Sequence, residues 1–256
     1  MPTALITGAS AGIGAEFAAQ LAEEGYDLVL VARRAERLES LGASLTDRFG
    51  VKVLIVPADL SLPGAPLLIK QQVAEAGLEI DYLVNNAGAS GPDLIRDRDW
   101  DEHEAFFRLL MTSVAHMCHL FIPDMRRRGF GRVINVASVA GLVALSGGAN
   151  YGPVKRYVVG LSEELAIMVR GDGVRVTALC PGFTHTEFHD VAGLTHMKSR
   201  MPKLLWYDAA VVVREGRKAV ESGRSVQVSG SLYRLVVPLL RFRPVQRIAA
   251  RVGSRR

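Results

Sequence analysis

The chain has 256 residues, 49% of them hydrophobic, and a formal net charge of +5. That is enough apolar material for a full globular core, and the length allows one or two domains. Two cysteines, Cys118 and Cys180, argue against a disulfide framework and fit a reducing, cytoplasmic setting. No basic, apolar leader precedes the first apolar run at Ala4, and no stretch is expected to reach the roughly 18–20 apolar residues of a membrane span.

The first expected strand, Ala4–Thr7, runs into Thr7-Gly8-Ala9-Ser10-Ala11-Gly12-Ile13-Gly14 and then a helix over Ala15–Glu24. Gly8 permits a tight turn, and Gly12 and Gly14 let backbone and a pyrophosphate approach closely. The start of the helix offers N–H groups to phosphate oxygens. Gly8, Ser10, Gly12, Ile13 and Gly14 are therefore candidate cofactor residues. The spacing is not the common Gly-x-Gly-x-x-Gly, so a purely structural glycine turn is the alternative.

A second strand, Leu28–Ala32, ends at Arg33-Arg34 before a helix over Ala35–Phe49. Dinucleotide folds that take NAD place an acid here for the ribose hydroxyl. An arginine fork instead matches a 2′-phosphate, which favours NADP over NAD. The alternative is two arginines that merely begin a solvated helix. The third strand, Val51–Val56, leads to Ala58-Asp59-Leu60, where Asp59 suits an adenine amino group or is simply a turn aspartate. Leu60 is counted with it. A helix over Ala65–Ala76 and a strand at Tyr82–Val84 follow, then Asn85-Asn86-Ala87-Gly88.

A long helical stretch, Trp100–Arg128, and a strand, Val133–Val136, lead to Ser138. Tyr151 and Lys155 come next, four residues apart and so on one helix face. The ammonium is expected to lower the phenol's pKa from about 10, giving a proton donor and acceptor suited to carbonyl chemistry. Pro153 is tolerated only in a first turn. The helix through Val154–Val169 must therefore begin close to Asn150 or be kinked. After a strand at Val174–Leu179 the chain is expected to be irregular over 183–206, with a last helix at Asp208–Ser222 and a strand near Ser225–Val228.

Short continuous apolar strands alternating with helices imply a parallel sheet covered on both faces. The expected fold is α/β, a Rossmann-type doubly wound sheet of about seven strands, with ligands at the carboxyl ends. One domain over 1–256 is expected, with a lid at 183–206 and a basic, apolar extension at 229–256.

With these motifs in order at strand ends, the chain resembles the short-chain dehydrogenase/reductase family over roughly residues 3–228. The carrying residues are Thr7–Gly14, Asn85–Gly88, Ser138, Tyr151, Lys155 and Pro181-Gly182-Phe183-Thr184-His185-Thr186. The resemblance implies that Tyr151 protonates a carbonyl oxygen as hydride arrives. It implies that Lys155 binds the nicotinamide ribose and that Ser138 hydrogen-bonds the substrate oxygen. Asn86, Ala87 and Gly88 would line the adenosine side, and Pro181, Gly182, Thr184 and Thr186 would hold the carboxamide end. A homodimer or homotetramer through the helices around 100–128 and 150–170 is implied as well. The family often carries an asparagine that holds a water behind the lysine. Here that place falls at or near Leu110, with Thr112 or a backbone carbonyl as substitutes.

The expected lid contains Phe183, Phe188, Leu194, Met197, Met201, Leu204, Leu205 and Trp206. Such a lid implies an apolar substrate, unless these side chains pack only on the core or a partner subunit. His116, His119, His185 and His189 lack ligand spacing, so no metal is expected. Residues 214–256 hold eleven Lys/Arg against Glu215 and Glu221, a net of +9, which leaves the remainder at −4. No nucleic-acid motif accompanies this charge. The basic C-terminus is read as merely solvated or as a surface for acidic partners or anionic lipid, and Leu232–Leu240 and Val245–Val252 as capping the pocket, closing an oligomer interface, touching a membrane or forming a disordered tail.

The reading is an NADP(H)-dependent oxidoreductase interconverting a ketone and a secondary alcohol on a lipid-like, steroid or 3-oxoacyl substrate. The alternatives are an NAD-linked alcohol or steroid dehydrogenase, and a catalytically weak dinucleotide-binding sensor or scaffold.

Overall fold

A computed structural model describes residues 1–143, 150–187 and 202–240. Seven strands form one parallel sheet in the order β3-β2-β1-β4-β5-β6-β9. They are β1 (Thr3–Thr7), β2 (Asp27–Ala32), β3 (Val53–Pro57), β4 (Tyr82–Asn85), β5 (Gly131–Val136), β6 (Val174–Cys180) and β9 (Val226–Val228). Alternate side chains along each strand enter different cores, which is why the strands read as unbroken apolar runs. Ala4 and Ile6 pack with Phe17 and Leu21 of α1 (Gly12–Glu23), Leu38 and Leu45 of α2 (Ala35–Phe49), and Val212 and Val220 of α7 (Ala209–Glu221). Leu5 and Leu83 pack on the other side, with Ile69 of α3 (Ala65–Glu75) and Met117 and Phe121 of α5 (Ser113–Arg128).

The chain runs from β1 outward to β2 and β3, then crosses to β4 on the other side of β1. This reversal opens a crevice over the carboxyl ends of β1 and β4. Ile6 pairs with Val84 at that point, so the glycine turn after β1 and the Asn86 segment after β4 leave the sheet side by side.

Several expectations shift. The third strand begins at Val53, two residues later than expected. The long stretch after residue 100 is divided into α4 (Trp100–Phe107), a π-helical turn (Arg108–Thr112) and α5. Against expectation, this run of 29 residues is long and apolar enough to cross a membrane by length and composition. Its apolar side is spent on the sheet: Met117, Phe121 and Met125 lie in the core. The stretch expected to be irregular is ordered at both ends. There β7 (Phe183–His185) pairs in parallel with β8 (Trp206–Asp208), and Trp206 stacks on Phe183 and His185 at 5.2 and 5.1 Å. The rest of the expected lid, 188–201, and Val245–Val252 lie outside the described residues.

Helix α6 (Tyr151–Met168) starts at Tyr151 itself, which places Pro153 in the first turn, where the missing N–H costs nothing. Leu232–Leu240 is a helix, α8 (Ser231–Leu240).

Candidate active site

The glycine turn is locked to the sheet by Asn86 and Thr7. The Thr7 hydroxyl accepts the backbone N–H groups of Asn86 and Ala87 at 2.9 and 3.0 Å, and the Asn86 amide donates to the carbonyls of Thr7 and Gly8 at 3.0 and 3.2 Å. Gly8 takes φ +66°, and a Cβ there would lie 2.8 Å from Ala87 Cα. A Cβ on Gly14 would lie 2.2 Å from the Gly8 carbonyl oxygen, so no larger residue fits either position. No side chain caps the start of α1, whose first-turn N–H groups face the crevice end of the sheet. This cradle fits a dinucleotide pyrophosphate. Asn86 thus acts on the backbone of the turn, while Ile13 and the buried Leu60 pack on the core.

Beyond the turn lies a cationic edge. Arg33 is largely exposed and sits 3.9 Å from Asp59. One Asp59 oxygen is already taken by the backbone and hydroxyl of Ser61, at 2.9 and 2.6 Å, which is the turn-aspartate geometry; the other faces Arg33. Arg34 donates to the Ser10 hydroxyl at 2.9 Å, which ties the second strand's end to the glycine turn. Arg34 and Arg37 both reach Glu187, at 3.4 and 2.8 Å. The Arg37 hydrogen bond, then Arg34, holds the Glu187 carboxyl below the usual carboxylate range. Glu187 and Arg37 were missed in the sequence because they lie 150 residues apart.

Ser138, Tyr151 and Lys155 converge beyond the end of β5. Ser138 accepts the Ala140 N–H at 3.2 Å, which fixes its rotamer, and it is hydrogen-bonded to the Tyr151 phenol. Lys155 is 5% exposed and donates from Nζ to the Val136 carbonyl of β5 at 2.8 Å. The ammonium lies 5.7 Å from the centroid of the Tyr151 ring. Burial dominates both groups. It pushes the Tyr151 phenol up to about 12, opposed by the Ser138 hydrogen bond, and draws Lys155 down to about 8. The expected depression of the tyrosine by the lysine is therefore overturned: desolvation outweighs a cation that lies over the ring, 5.7 Å from its centroid.

The start of α6 is held by two residues that spacing did not reveal. Buried Asn150 donates to the Pro92 carbonyl and to His103 Nδ1, both at 2.9 Å. His103 Nε2 lies 3.2 Å from the Asp97 carbonyl. These partners assign His103 the tautomer with hydrogen on Nε2. Behind Lys155, the place of the family's asparagine is taken by Leu110 in the π turn, a widening common at functional sites. Leu110 is buried with Val154 and against Tyr151, and Thr112 is exposed, so neither supplies a polar group there.

The loop after β6 returns over the glycine turn. A Cβ on Gly12 would lie 2.9 Å from Thr186, and the buried Thr184 hydroxyl donates to the Gly182 carbonyl at 3.2 Å. The Pro181 carbonyl accepts the Val139 N–H at 3.0 Å, joining this loop to the Ser138 turn. Tyr233 of α8, unremarked in the sequence, fastens the segment at both ends. Its hydroxyl accepts the Phe183 N–H at 3.1 Å and donates to the Leu205 carbonyl at 2.9 Å, and its ring covers Gly182. Tyr233→Phe should raise the substrate KM several-fold with kcat little changed and cost ~1–2 kcal/mol of stability. Steady-state kinetics and urea midpoints check this; an unchanged KM would show that the two bonds do not shape the pocket.

Among the described residues no group of three His, Cys, Asp or Glu is placed to hold a metal ion. His185 stacks on Trp206, and His116 and His119 sit with ring centroids 6.3 Å apart.

Residues 2–195 match the family model for short chain dehydrogenase. The chain belongs to the short-chain dehydrogenase family. It is an oxidoreductase of that family, and its sheet is the family's Rossmann-like sheet. It is 34% identical over 196 residues to a 3-oxoacyl-acyl-carrier-protein reductase of Staphylococcus aureus, covering 73% of this chain and 76% of the relative. Among solved structures, it resembles a short-chain dehydrogenase from Sphingobium yanoikuyae in complex with NADPH. The TM-score there is 0.81 at 31% identity, covering 89% of this chain and 87% of the other. A member from Burkholderia phymatum in complex with NAD matches with TM-score 0.82 at 25% identity, over 93% of this chain and 92% of the other.

Proposed function

We propose that this short-chain dehydrogenase is an NADP(H)-dependent reductase of apolar ketones, with Tyr151 as acid. The carrying observation is the convergence of Ser138, Tyr151 and Lys155 beside the glycine cradle, at the end of β5. When bound, the nicotinamide supplies a hydride to the carbonyl carbon. Tyr151 gives its phenolic proton to the carbonyl oxygen, which becomes the alcohol hydroxyl. Ser138 hydrogen-bonds the same oxygen and stabilises its developing charge. Lys155 lies beside the Tyr151 ring, where it orients the ribose end of the cofactor. A phenol pushed up to about 12 is fully protonated near neutral pH, the form that reduction requires.

Arg33 and Arg34 beside Ser10 support NADP over NAD, as does the NADPH complex of the Sphingobium relative. The Burkholderia relative, solved with NAD, keeps the NAD-linked reading as the alternative. Arg33→Ala should weaken NADPH by about tenfold or more and NADH hardly at all, since one charge-assisted contact contributes ~1.5–3 kcal/mol. Fluorescence titration with both cofactors checks it; equal losses would remove the 2′-phosphate assignment.

The Phe183–Trp206–His185 stack and exposed Leu204 put apolar surface at the two described ends of the 183–206 segment, which supports an apolar substrate. Relatives with reductase activity toward 3-oxoacyl groups support an acyl ketone among the candidates. A screen of ketones and 3-oxoacyl thioesters, read by NADPH oxidation, tests the function. Absence of turnover across both classes, with NADPH still bound, would favour the sensor reading instead. A homo-oligomer in a cytoplasmic setting completes the proposal.

A further inference from the structure

We propose that Glu187 is a specificity-determining residue for the cofactor: its carboxylate holds the seat of the adenosine 2′-phosphate and yields it only to a dinucleotide that carries one. This role rests on the proposed NADP(H) dependence. Arg37 donates from one guanidinium nitrogen to both Glu187 oxygens, at 3.0 and 2.8 Å, and Arg34 reaches the second of them at 3.4 Å. One oxyanion held by two guanidiniums is the arrangement that a phosphate monoester also takes.

Arg34 fixes where this seat lies. Its Nη2 donates to the Ser10 hydroxyl of the glycine turn at 2.9 Å, while its Nη1 faces Glu187. The Glu187 carboxylate is therefore one guanidinium away from the cradle that fits the pyrophosphate. A dinucleotide held there by its pyrophosphate extends its adenosine ribose toward the end of the second strand. Arg34 follows that end, between β2 and α2. The two residues after β7 cross the same ground. Thr186 packs against Gly12, where a Cβ would lie 2.9 Å from it, and Glu187 reaches Arg37 on α2.

The physical chemistry favours exchange at this seat. Glu187, Arg34 and Arg37 keep 50%, 44% and 48% of their side-chain surface exposed, so the carboxylate leaves into water at little cost. A carboxylate brings one negative charge, whereas a phosphate monoester brings about 1.5–2 at pH 7 and three acceptor oxygens. The phosphate therefore takes both arginines from Glu187. A dinucleotide without it offers a neutral ribose hydroxyl, which does not displace a carboxylate from two cations. Arg33 stands outside the exchange, beside Asp59 at 3.9 Å, so its contribution to the phosphate is separate.

Glu187→Gln keeps the shape of the side chain and removes its charge. Fluorescence titration with NADPH and NADH, and calorimetry with 2′,5′-ADP and 5′-AMP, read binding without turnover. The variant should bind NADPH and 2′,5′-ADP about three- to tenfold more tightly than wild type, and NADH and 5′-AMP within about twofold of it. Arg37→Ala should weaken NADPH, and adding Glu187→Gln to it should return a smaller gain than in the wild-type background, because the nearer partner is gone. If wild type prefers NADPH and Glu187→Gln binds it no more tightly, this role is overturned and the cofactor assignment stands. A loss of NADH affinity in the variant also overturns it, since Glu187 would then accept from the ribose hydroxyl. Wild-type protein that binds NADH as tightly as NADPH removes the cofactor assignment itself, and the role of Glu187 falls with it.

Discussion

Tyr151→Phe should lower kcat for carbonyl reduction by about 10²–10⁴-fold, the usual contribution of a positioned acid. NADPH binding should be nearly unaffected. The ring remains in the apolar cluster of Leu110 and Val154, so packing is kept and only the hydroxyl goes. The hydrogen bond to Ser138 is lost, which costs ~1 kcal/mol of stability. Because the phenol is pushed up to about 12, wild-type reduction should be flat across neutral pH, with no loss of the acid form there. Single-turnover kinetics with NADPH in excess gives the comparison. An unchanged rate constant would remove Tyr151 as the acid and favour the dinucleotide-binding scaffold.

Lys155→Met should abolish turnover and yet stabilise the cofactor-free protein at pH 7. Burial draws the lysine from 10.5 down to about 8. At ~1.4 kcal/mol per pKa unit, the charged form costs the fold about 3 kcal/mol. Below about pH 8 the lysine is charged in both states, so the folded protein bears that whole cost. Between about 8 and 10.5 the folded lysine is neutral while the unfolded one still binds a proton, so stability rises with pH. Above 10 the tyrosine opposes this: the unfolded phenol ionises while Tyr151 keeps its proton to about 12, so its contribution falls as pH rises. Methionine keeps the apolar stem and removes the charge. It also removes the donor to the Val136 carbonyl, which returns ~1 kcal/mol or more of the gain. The net expectation is a variant ~1–2 kcal/mol more stable at pH 7, with the advantage gone by about pH 10. Urea unfolding at both pH values measures it. A variant less stable than wild type by the same margin at both would show that the ammonium does not strain the fold. A gain would mean that the family's central lysine is retained for chemistry against stability.

The correct readings from sequence share a property: each depends on neighbours along the chain. Pro153 left α6 either a start near Asn150 or a kink, and it begins at Tyr151. The apolar runs and their separations announced the strands. Tyr207 and Tyr233, by contrast, meet at 5.9 Å from separate elements, and no periodicity relates them. The segment after β6 was read as irregular because three-residue strands carry no pattern long enough to detect, and only their pairing makes β7 and β8. The π turn at Arg108–Thr112 escaped notice for a related reason, since its residues fit an uninterrupted helix equally well.

The sequence by itself determined the strand–helix alternation, the glycine turn that only residues without a Cβ can make, and the spacing that puts Tyr151 and Lys155 on one face. These are consequences of local sterics and helical period. The tertiary structure alone decided that Asn86 clamps the Gly8 turn, that His103 and Asn150 fix the start of α6, and that Tyr233 ties Phe183 to Leu205. It also decided the protonation of Tyr151 and Lys155. A pKa depends on how much water and charge surround a group, and that is set by residues brought from β5, the π turn and α6 at once. Spacing placed the lysine beside the tyrosine; burial kept the tyrosine a proton donor.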